Sequence, residues 1–142
     1  SHPWSVNLAF SSNPDGLVLI TDSMAAMGLP DGQYKLGTED VTLHNHRAVL
    51  THAPEHLAGA VLPLDQCLAN FRSFTRCSRE DALLAVTKRP AEVLGVYPRK
   101  GGLSYGSDAD IVLLHPETLQ VMATIINGQL AYVRGDFFPP KY

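Results

Sequence analysis

The sequence predicts an α/β protein, and three patterns carry that prediction. Residues 17–20 form a short run in which every residue is apolar, which is typical of a strand buried on both faces of a parallel sheet. Residues 63–75 repeat apolar side chains at helical spacing. Residues 121–133 form two apolar runs around Asn127-Gly128, a strong signal for a two-residue hairpin. The expected order is a parallel-type strand, then helices, then a small antiparallel sheet.

The composition places the chain among globular proteins. Its 142 residues suit one ordinary domain, and its net charge of −3 gives no basic field for nucleic acid or an anionic membrane. No apolar run approaches the length of a membrane span, and no signal peptide is recognisable. Cys67 and Cys77 are expected to be reduced thiols in a cytoplasmic protein. Because the chain begins with Ser1 rather than Met, we expect that a segment was removed or left out.

The first residues are expected to form a short helix followed by a turn. The helix covers residues 3–10 and directs Val6, Ala9 and Phe10 inward. Residues 13–16 read Asn-Pro-Asp-Gly, in which each residue type favours a turn.

The apolar strand and an antiparallel excursion come next. The strand is expected over residues 17–21. Residues 33–50 space their apolar side chains with polar ones, which predicts partly exposed antiparallel strands. Pro54, Gly59 and Pro63 then indicate a loop before the amphipathic helix.

The second half of the chain continues with two short helices and then β structure. Ser78 and Asp81 have the spacing of a capping box, which predicts a helix beginning after Ser78. Pro90 is expected to end that helix and to open another short one. The pattern is β from residue 101 onward. The apolar tail at residues 137–140 is expected to pack on another part of the protein.

The predicted parallel strand lacks obvious neighbours in the sequence. A strand of this kind cannot satisfy its backbone hydrogen bonds alone, so the chain is expected to be the end of a larger barrel. Asp22 follows the strand directly, and barrel enzymes keep their catalytic groups at the carboxyl ends of their strands. From the residues alone, a solvated strand-end carboxylate or a helix cap is the simpler interpretation of Asp22.

Four segments share a common resemblance. They read Leu-Val-Leu-Ile-Thr-Asp-Ser-Met at residues 17–24, His-Leu-Ala-Gly-Ala at 56–60, Thr-Lys-Arg-Pro-Ala-Glu-Val-Leu-Gly at 87–95, and Gly-Ser-Asp-Ala-Asp-Ile-Val-Leu at 106–113. The last two resemble motifs of the amidohydrolase superfamily. The first two, with their spacing, resemble the N-acetylglucosamine-6-phosphate deacetylase family within it. Four motifs in one order are more specific than any single one.

The resemblance implies a fold and a position within it. Residues 1–100 would be the C-terminal fragment of a (β/α)8 TIM-like barrel, and residues 101–142 would be part of a small β-sandwich domain. The family takes its main metal ligands, a Glu and two His, and its phosphate-binding Arg from earlier strands. The chain alone is therefore expected to be inactive, and its parent to be a cytoplasmic enzyme of amino-sugar catabolism that forms homodimers.

The resemblance also implies a reaction. The family hydrolyses the acetamide of N-acetylglucosamine 6-phosphate to glucosamine 6-phosphate and acetate. A divalent metal, expected to be zinc, acidifies a water and polarises the amide. Asp22 would take the water proton and pass it to the leaving amine, and it is also a candidate metal ligand.

The substrate contacts follow from the second motif. Leu57, Ala58 and Gly59 would line the sugar through apolar contact and backbone hydrogen bonds, and Gly59 would allow close approach. The family usually has Thr and Ser where this chain has His56 and Ala60, so details of recognition are expected to differ. The alternative is an ordinary loop before a helix.

The histidines are expected to lie outside the site. His44 and His46 form an H-x-H pattern, but the family's metal-binding pair lies far upstream of the Asp, so a surface pair is predicted. His52 and His56 lie nearby and leave a fortuitous surface metal site open. His2 lies just past the register of a family substrate-binding His, which would immediately precede Ser1, so His2 is not expected to be that residue.

Three further charged residues are expected to be structural. Arg89 stands where the superfamily usually has Asn, which would cap the short helix that Pro90 opens. Asp108 and Asp110 could form a carboxylate pair, but their matched role is to begin a strand of the small domain.

Two other functions remain open. A different amidohydrolase, such as a dihydroorotase-like or deaminase-like member, is opposed by the first two motifs. A non-catalytic protein that binds or regulates a full-length partner is consistent with the missing ligand set.

Overall fold

A computed structural model describes residues 1–45, 47–135 and 137. Its elements, in chain order, are α1 (Pro3–Ser12), β1 (Gly32–Leu36), β2 (Glu39–His44), β3 (Arg47–Leu50), β4 (Ala53–Gly59), α2 (Leu64–Thr75), α3 (Arg79–Val86), α4 (Lys88–Val93), β5 (Ile111–Leu114), β6 (Val121–Ile126) and β7 (Gln129–Val133). The structure is thus α/β, with two antiparallel sheets among the described residues. None of the described helices has the length and apolar character needed to cross a membrane.

The chain divides into two compact units. One contains residues 20–67, and the other contains residues 1–19 together with residues 68–142. Neither unit ends at residue 100, where the boundary between barrel and β-sandwich is expected. That domain boundary stays a prediction.

The unit of residues 20–67 is built on a four-stranded antiparallel sheet. Its strands lie in chain order, β1-β2-β3-β4. The prediction of antiparallel strands at 33–50 is confirmed. The predicted loop at 54–63 is wrong in its first half, because residues 53–59 form β4. Irregular register along β3 and β4 accommodates Pro54, which cannot donate to a regular ladder.

A small core lies against this sheet. Alternating positions on β2 bury Val41 and Leu43, as the two-residue period of a strand requires. Ala48, Ala26 and Val61 complete the buried cluster. Three of these five residues lie on the sheet, and the other two lie in the segments that flank it. Asp22 lies in one of those flanking segments, and residues 57–59 form the end of β4, directly before the other.

The other unit has a core formed by helices. Phe71 on α2 is 1% exposed, and its ring meets Phe10 of α1 edge to face with ring centroids 5.5 Å apart. Leu68, Ala82 and Ala85 join the same buried cluster. The predicted helix at 63–75 is confirmed, beginning one residue later than expected.

The short helices begin and end by different means. Ser78 caps α3, since its Oγ accepts a hydrogen bond from the backbone N–H of Asp81 at 3.0 Å, as the capping box predicts. α3 ends at Val86, before Pro90, so the prediction that Pro90 ends it is wrong. Pro90 instead lies in the first turn of α4, where its missing N–H costs no helical hydrogen bond.

Helix α1 matches its prediction in position but not fully in orientation. It runs two residues beyond the expected end, to Ser12. Val6 and Phe10 pack against the core of the unit, whereas Ala9 is exposed, so its predicted inward orientation is wrong. At about 100° per residue, Ala9 lies to one side of the face that Val6 and Phe10 share.

The three-stranded sheet confirms the predicted hairpin. Its order is β5-β6-β7, and Asn127-Gly128 connects the last two strands with both residues at positive φ. Such angles suit a two-residue turn. Val112, Leu130 and Tyr132 on the outer strands are exposed. Of the predicted tail, residues 138–140 lie outside the described residues.

The predicted buried strand at 17–21 is wrong. Those residues belong to no described strand, and Ile20 is 65% exposed. Leu17 and Leu19 still pack against the helical core, and the Leu19 N–H donates to the carbonyl of Ala85 at 2.9 Å. No described strand lies beside this segment, so its backbone hydrogen bond goes to the end of α3 and not to a neighbouring strand. The larger barrel itself stays a prediction.

Replacing Phe71 with Ala should destabilise the protein by about 3–5 kcal/mol, because it leaves a cavity in the helical core. Leu64→Ala on the exposed face of the same helix should cost less than about 1 kcal/mol. Urea unfolding of both variants measures this difference, and equal losses would show that α2 is not held by its Phe71 face.

Candidate functional site

Asp22 has an unusual backbone and an exposed side chain. Its φ of 49° lies in the left-handed region, which non-glycine residues adopt rarely and at a cost. The Ser23 N–H donates to Oγ1 of Thr21 at 3.3 Å, which bends the chain around Asp22. Uncommon backbone angles of this kind concentrate at functional sites, so the observation makes Asp22 a functional candidate.

The residues after Asp22 are fixed to the segment that follows β4. Ser23 and Ala60 form an isolated parallel bridge, and the Met24 N–H donates to the carbonyl of Ala60 at 2.8 Å. The Ser23 Oγ donates to the carbonyl of Leu62 at 2.7 Å. These contacts bring the first two motifs of the sequence together, although they are far apart along the chain.

The predicted substrate residues lie at the end of β4. Leu57 pairs with Val49 and is 65% exposed, whereas Ala58 packs against the core. A Cβ added at Gly59 would lie 3.0 Å from the Met24 Sδ, so this glycine permits close contact with the segment that follows Asp22. The structure thus places Asp22 and residues 57–59 on two segments that are hydrogen-bonded to each other.

Ser23 is a site residue that sequence reasoning missed. Its hydroxyl anchors the segment after Asp22, but its partner Leu62 lies 39 residues further along the chain. No local pattern marks such a pairing, because the partner is a backbone carbonyl and carries no side-chain signature.

The described residues contain no cluster of three or more His, Cys, Asp or Glu side chains that could hold a metal ion. His44 pairs with Asp31 through Nδ1 and Oδ2 at 3.0 Å, and His56 pairs with Glu55 at 3.2 Å, both at the surface. His46 lies outside the described residues. His2 accepts a hydrogen bond from the Trp4 N–H at 3.3 Å and caps α1. A metal site cannot therefore be built from Asp22 and the other described residues.

Arg89 is more deeply buried than the sequence indicated. Its guanidinium donates to the carbonyl of Asp81 at 3.2 Å and lies 3.6 Å from the carboxylate of Asp81 and 3.8 Å from that of Asp15. Thr87, the N-cap of α4, makes no side-chain capping bond. Arg89 therefore ties α4 to α3 and to the turn at 13–16, in place of the cap that an Asn would provide.

Asp108 and Asp110 form part of a salt-bridged cluster. Arg99 pairs with Asp108 at 3.0 Å, and Lys100 pairs with both aspartates. Asp110 also accepts the N–H of Asn127 at 2.8 Å, so it holds the hairpin turn. These partners give both carboxylates a structural role, as the sequence indicated.

The ion pairs shift two pKa values. The hydrogen bond from Lys100, followed by that from the Asn127 N–H, lowers the pKa of Asp110 below its ordinary 3.8. Hydrogen bonds to Asp108 and Asp110 raise the pKa of Lys100 above its ordinary 10.5. Both groups are therefore charged across the physiological range.

No family model matches the chain. The chain is 39% identical over 132 residues to the N-acetylglucosamine-6-phosphate deacetylase of Rattus norvegicus, which is 93% of the chain and 32% of that protein. It is 36% identical over 130 residues to the putative N-acetylgalactosamine-6-phosphate deacetylase of Escherichia coli strain K12, which is 92% of the chain and 76% of that protein.

Solved structures agree with this result. The N-acetylglucosamine-6-phosphate deacetylase of Thermotoga maritima superposes with a TM-score of 0.82 at 33% identity, over 93% of the chain and 36% of that structure. A mutant of the Mycobacterium smegmatis enzyme, in complex with N-acetyl-D-glucosamine-6-phosphate, gives 0.79 at 30% identity, over 92% and 34%.

Both comparisons define one class, the deacetylases of phosphorylated N-acetyl amino sugars. The chain belongs to the N-acetylglucosamine-6-phosphate deacetylase family. It spans about a third of the length of the rat relative and of both solved structures.

Replacing Ser23 with Ala should destabilise its unit by about 1 kcal/mol, because the carbonyl of Leu62 loses its partner. Hydrogen exchange at the Met24 amide should accelerate, since the neighbouring bond to Ala60 loses its support. Ser12→Ala, at an exposed helix end, is the control. An unchanged Met24 exchange rate in the Ser23 variant would contradict the anchoring role.

The acid stability of the protein should depend on Asp110. Its depressed pKa contributes stability that is present above the unfolded value of 3.8 and is lost as the pH falls through the folded value. The stability difference between wild type and Asp110→Asn, measured by urea unfolding, should therefore shrink below pH 4. A difference that stays constant from pH 7 to pH 2 would argue against this ion pair.

Proposed function

We propose that this chain contributes the catalytic carboxylate to a hydrolase that removes the acetyl group from a phosphorylated N-acetyl amino sugar. The observation that carries the proposal is the placement of Asp22, at positive φ and exposed, on a segment bonded to the strand end that carries residues 57–59. Family membership supports it, since the rat and Thermotoga maritima proteins are N-acetylglucosamine-6-phosphate deacetylases.

Asp22 would act first as a base and then as an acid. A water oxygen forms a bond to the acetyl carbon while Asp22 accepts a proton from that water. The carbon–nitrogen bond then breaks, and Asp22 returns the proton to the leaving amine. Acetate and the free amino sugar are released. A carboxylate held at a fixed position can serve both steps, and such transfer typically contributes about 10²–10⁴-fold to the rate.

Residues 57–59 would line the sugar. Leu57 is exposed enough to offer an apolar contact, and Gly59 presents its backbone without a side chain. His56 and Ala60 replace the hydroxyl residues expected of the family. Ala60 instead uses its carbonyl to receive the Met24 N–H, so this position has a structural use that needs no hydroxyl.

A divalent metal, zinc by the resemblance, remains part of the proposal. Among the described residues Asp22 has no companion ligands, since no group of three suitable side chains is present. The other ligands would come from outside these residues. The chain aligns with about a third of the rat enzyme's length, so such a protein has room for them. We accordingly expect the chain alone to be inactive.

The substrate is proposed to be N-acetylglucosamine 6-phosphate. The Escherichia coli relative is named for the galactosamine epimer, which makes N-acetylgalactosamine 6-phosphate the second candidate. A cytoplasmic location and a homodimeric parent complete the proposal on the strength of the resemblance.

A chimera tests the proposal directly. The matching third of the Thermotoga maritima enzyme is replaced by this chain, and acetate release is measured from both epimers. The chimera should be active, and Asp22→Asn should lower kcat by about 10²–10⁴-fold because the variant cannot accept the water proton. The chain alone with added zinc should release no acetate.

Asp40→Asn is the matched control, because it removes an exposed carboxylate from β2 of the same unit. It should leave kcat unchanged. A chimera that folds, binds zinc and remains inactive would refute the proposal. An active Asp22→Asn chimera would refute the role of Asp22, and activity of the isolated chain would refute the need for outside ligands.

A further inference from the structure

A second feature of the molecule is a basic groove in the unit of residues 1–19 and 68–142. It is open to solvent and has a volume of about 400 Å³ between the last turns of α2 and the turn before β6. That volume is in the range of small-ligand sites. The groove is lined by Ala69, Arg72, Ser73, Arg76, Cys77, Thr118 and Leu119.

Two arginines supply the charge of the groove. Arg72 and Arg76 are separated by one helical turn, and the Arg76 N–H donates to the carbonyl of Arg72 at 2.8 Å. Arg72 also donates to the carbonyl of Glu117 at 3.3 Å, which holds its side chain beside the turn before β6. Among the described residues neither arginine forms an ion pair. A helix C-terminus favours a nearby cation, and here two arginines line the same groove.

The carboxylate of Glu117, the residue next to Thr118, has a different partner. Glu117 directs its Oε1 to Arg79 at 3.4 Å, outside the lining of the groove. Ser73 and Thr118 add hydroxyl donors to the lining, and the buried Leu119 forms an apolar wall. Guanidinium forks beside hydroxyl groups are the arrangement by which proteins recognise phosphate oxygens.

We propose that this groove binds the phosphate group of a small phosphorylated metabolite through Arg72 and Arg76. The groove shares no residue with Asp22 or with residues 57–59, so this inference stands independently of the proposed deacetylase function. Cys77 lines the same groove, so its thiol should report occupancy.

Binding is tested on the 142-residue chain by NMR titration with inorganic phosphate, at an ionic strength held constant with sodium chloride. Amide shifts should concentrate at residues 72–77 and 118. Arg72→Gln and Arg76→Gln should each weaken binding by about tenfold, as expected for loss of a hydrogen bond to a charged group. Glu117→Gln should strengthen binding, because it removes a negative charge next to the lining residue Thr118.

Arg47→Gln is the matched control, an exposed arginine on β3 that lies outside the groove. It should change affinity less than twofold. Equal weakening by Arg47→Gln would show diffuse charge attraction only, and an absence of shifts at the groove would refute the site.

The thiol provides an independent readout. In Cys67→Ser, Cys77 is the single remaining cysteine, since the sequence has two. Phosphate should slow its alkylation by neutral iodoacetamide severalfold. Arg76→Gln should abolish that protection without changing the alkylation rate measured in the absence of phosphate. Protection that survives Arg76→Gln would overturn the proposal. Circular dichroism melting confirms that each variant is folded.

Discussion

The geometry of the candidate site depends on one short backbone pairing. The hydrogen bond from Met24 to the carbonyl of Ala60 and the hydroxyl bond from Ser23 to Leu62 hold two distant segments together. Without them, Asp22 would lie on a loop with no defined relation to the strand end at 57–59. Backbone partners of this kind resist sequence change, because any residue supplies a carbonyl. That property explains how Ala60 can occupy a position where the family usually has a hydroxyl residue.

The local elements could be predicted because short-range chemistry determines them. The capping bond of Ser78 and the positive φ angles at Asn127-Gly128 follow from side chains within a few residues. The antiparallel strands at 33–50 could be predicted for the same reason, because apolar and polar residues alternate along each strand. The family resemblance adds Asp22 and the segment at 57–59 as candidate site residues, whereas physical reasoning alone favours a solvated carboxylate and a loop.

What could not be predicted depends on partners far along the chain. The apolar run at 17–20 has the composition of a buried strand, yet the described residues give it a helix end as its neighbour, through Leu19 and Ala85. The burial of Arg89 is of the same kind, since its carboxylate partners belong to a turn and to another helix. Composition determines the local structure that a segment favours, whereas the elements packed against it determine the structure that it adopts.

The open edges of the three-stranded sheet bear on the self-association of the chain. β5 and β7 each pair on one side only within the described residues, and both carry exposed large side chains, among them Val112, Leu130 and Tyr132. An open strand edge beside apolar side chains is a template for pairing with another chain. Self-association through these edges would rise with concentration, so dilute samples are expected to limit it.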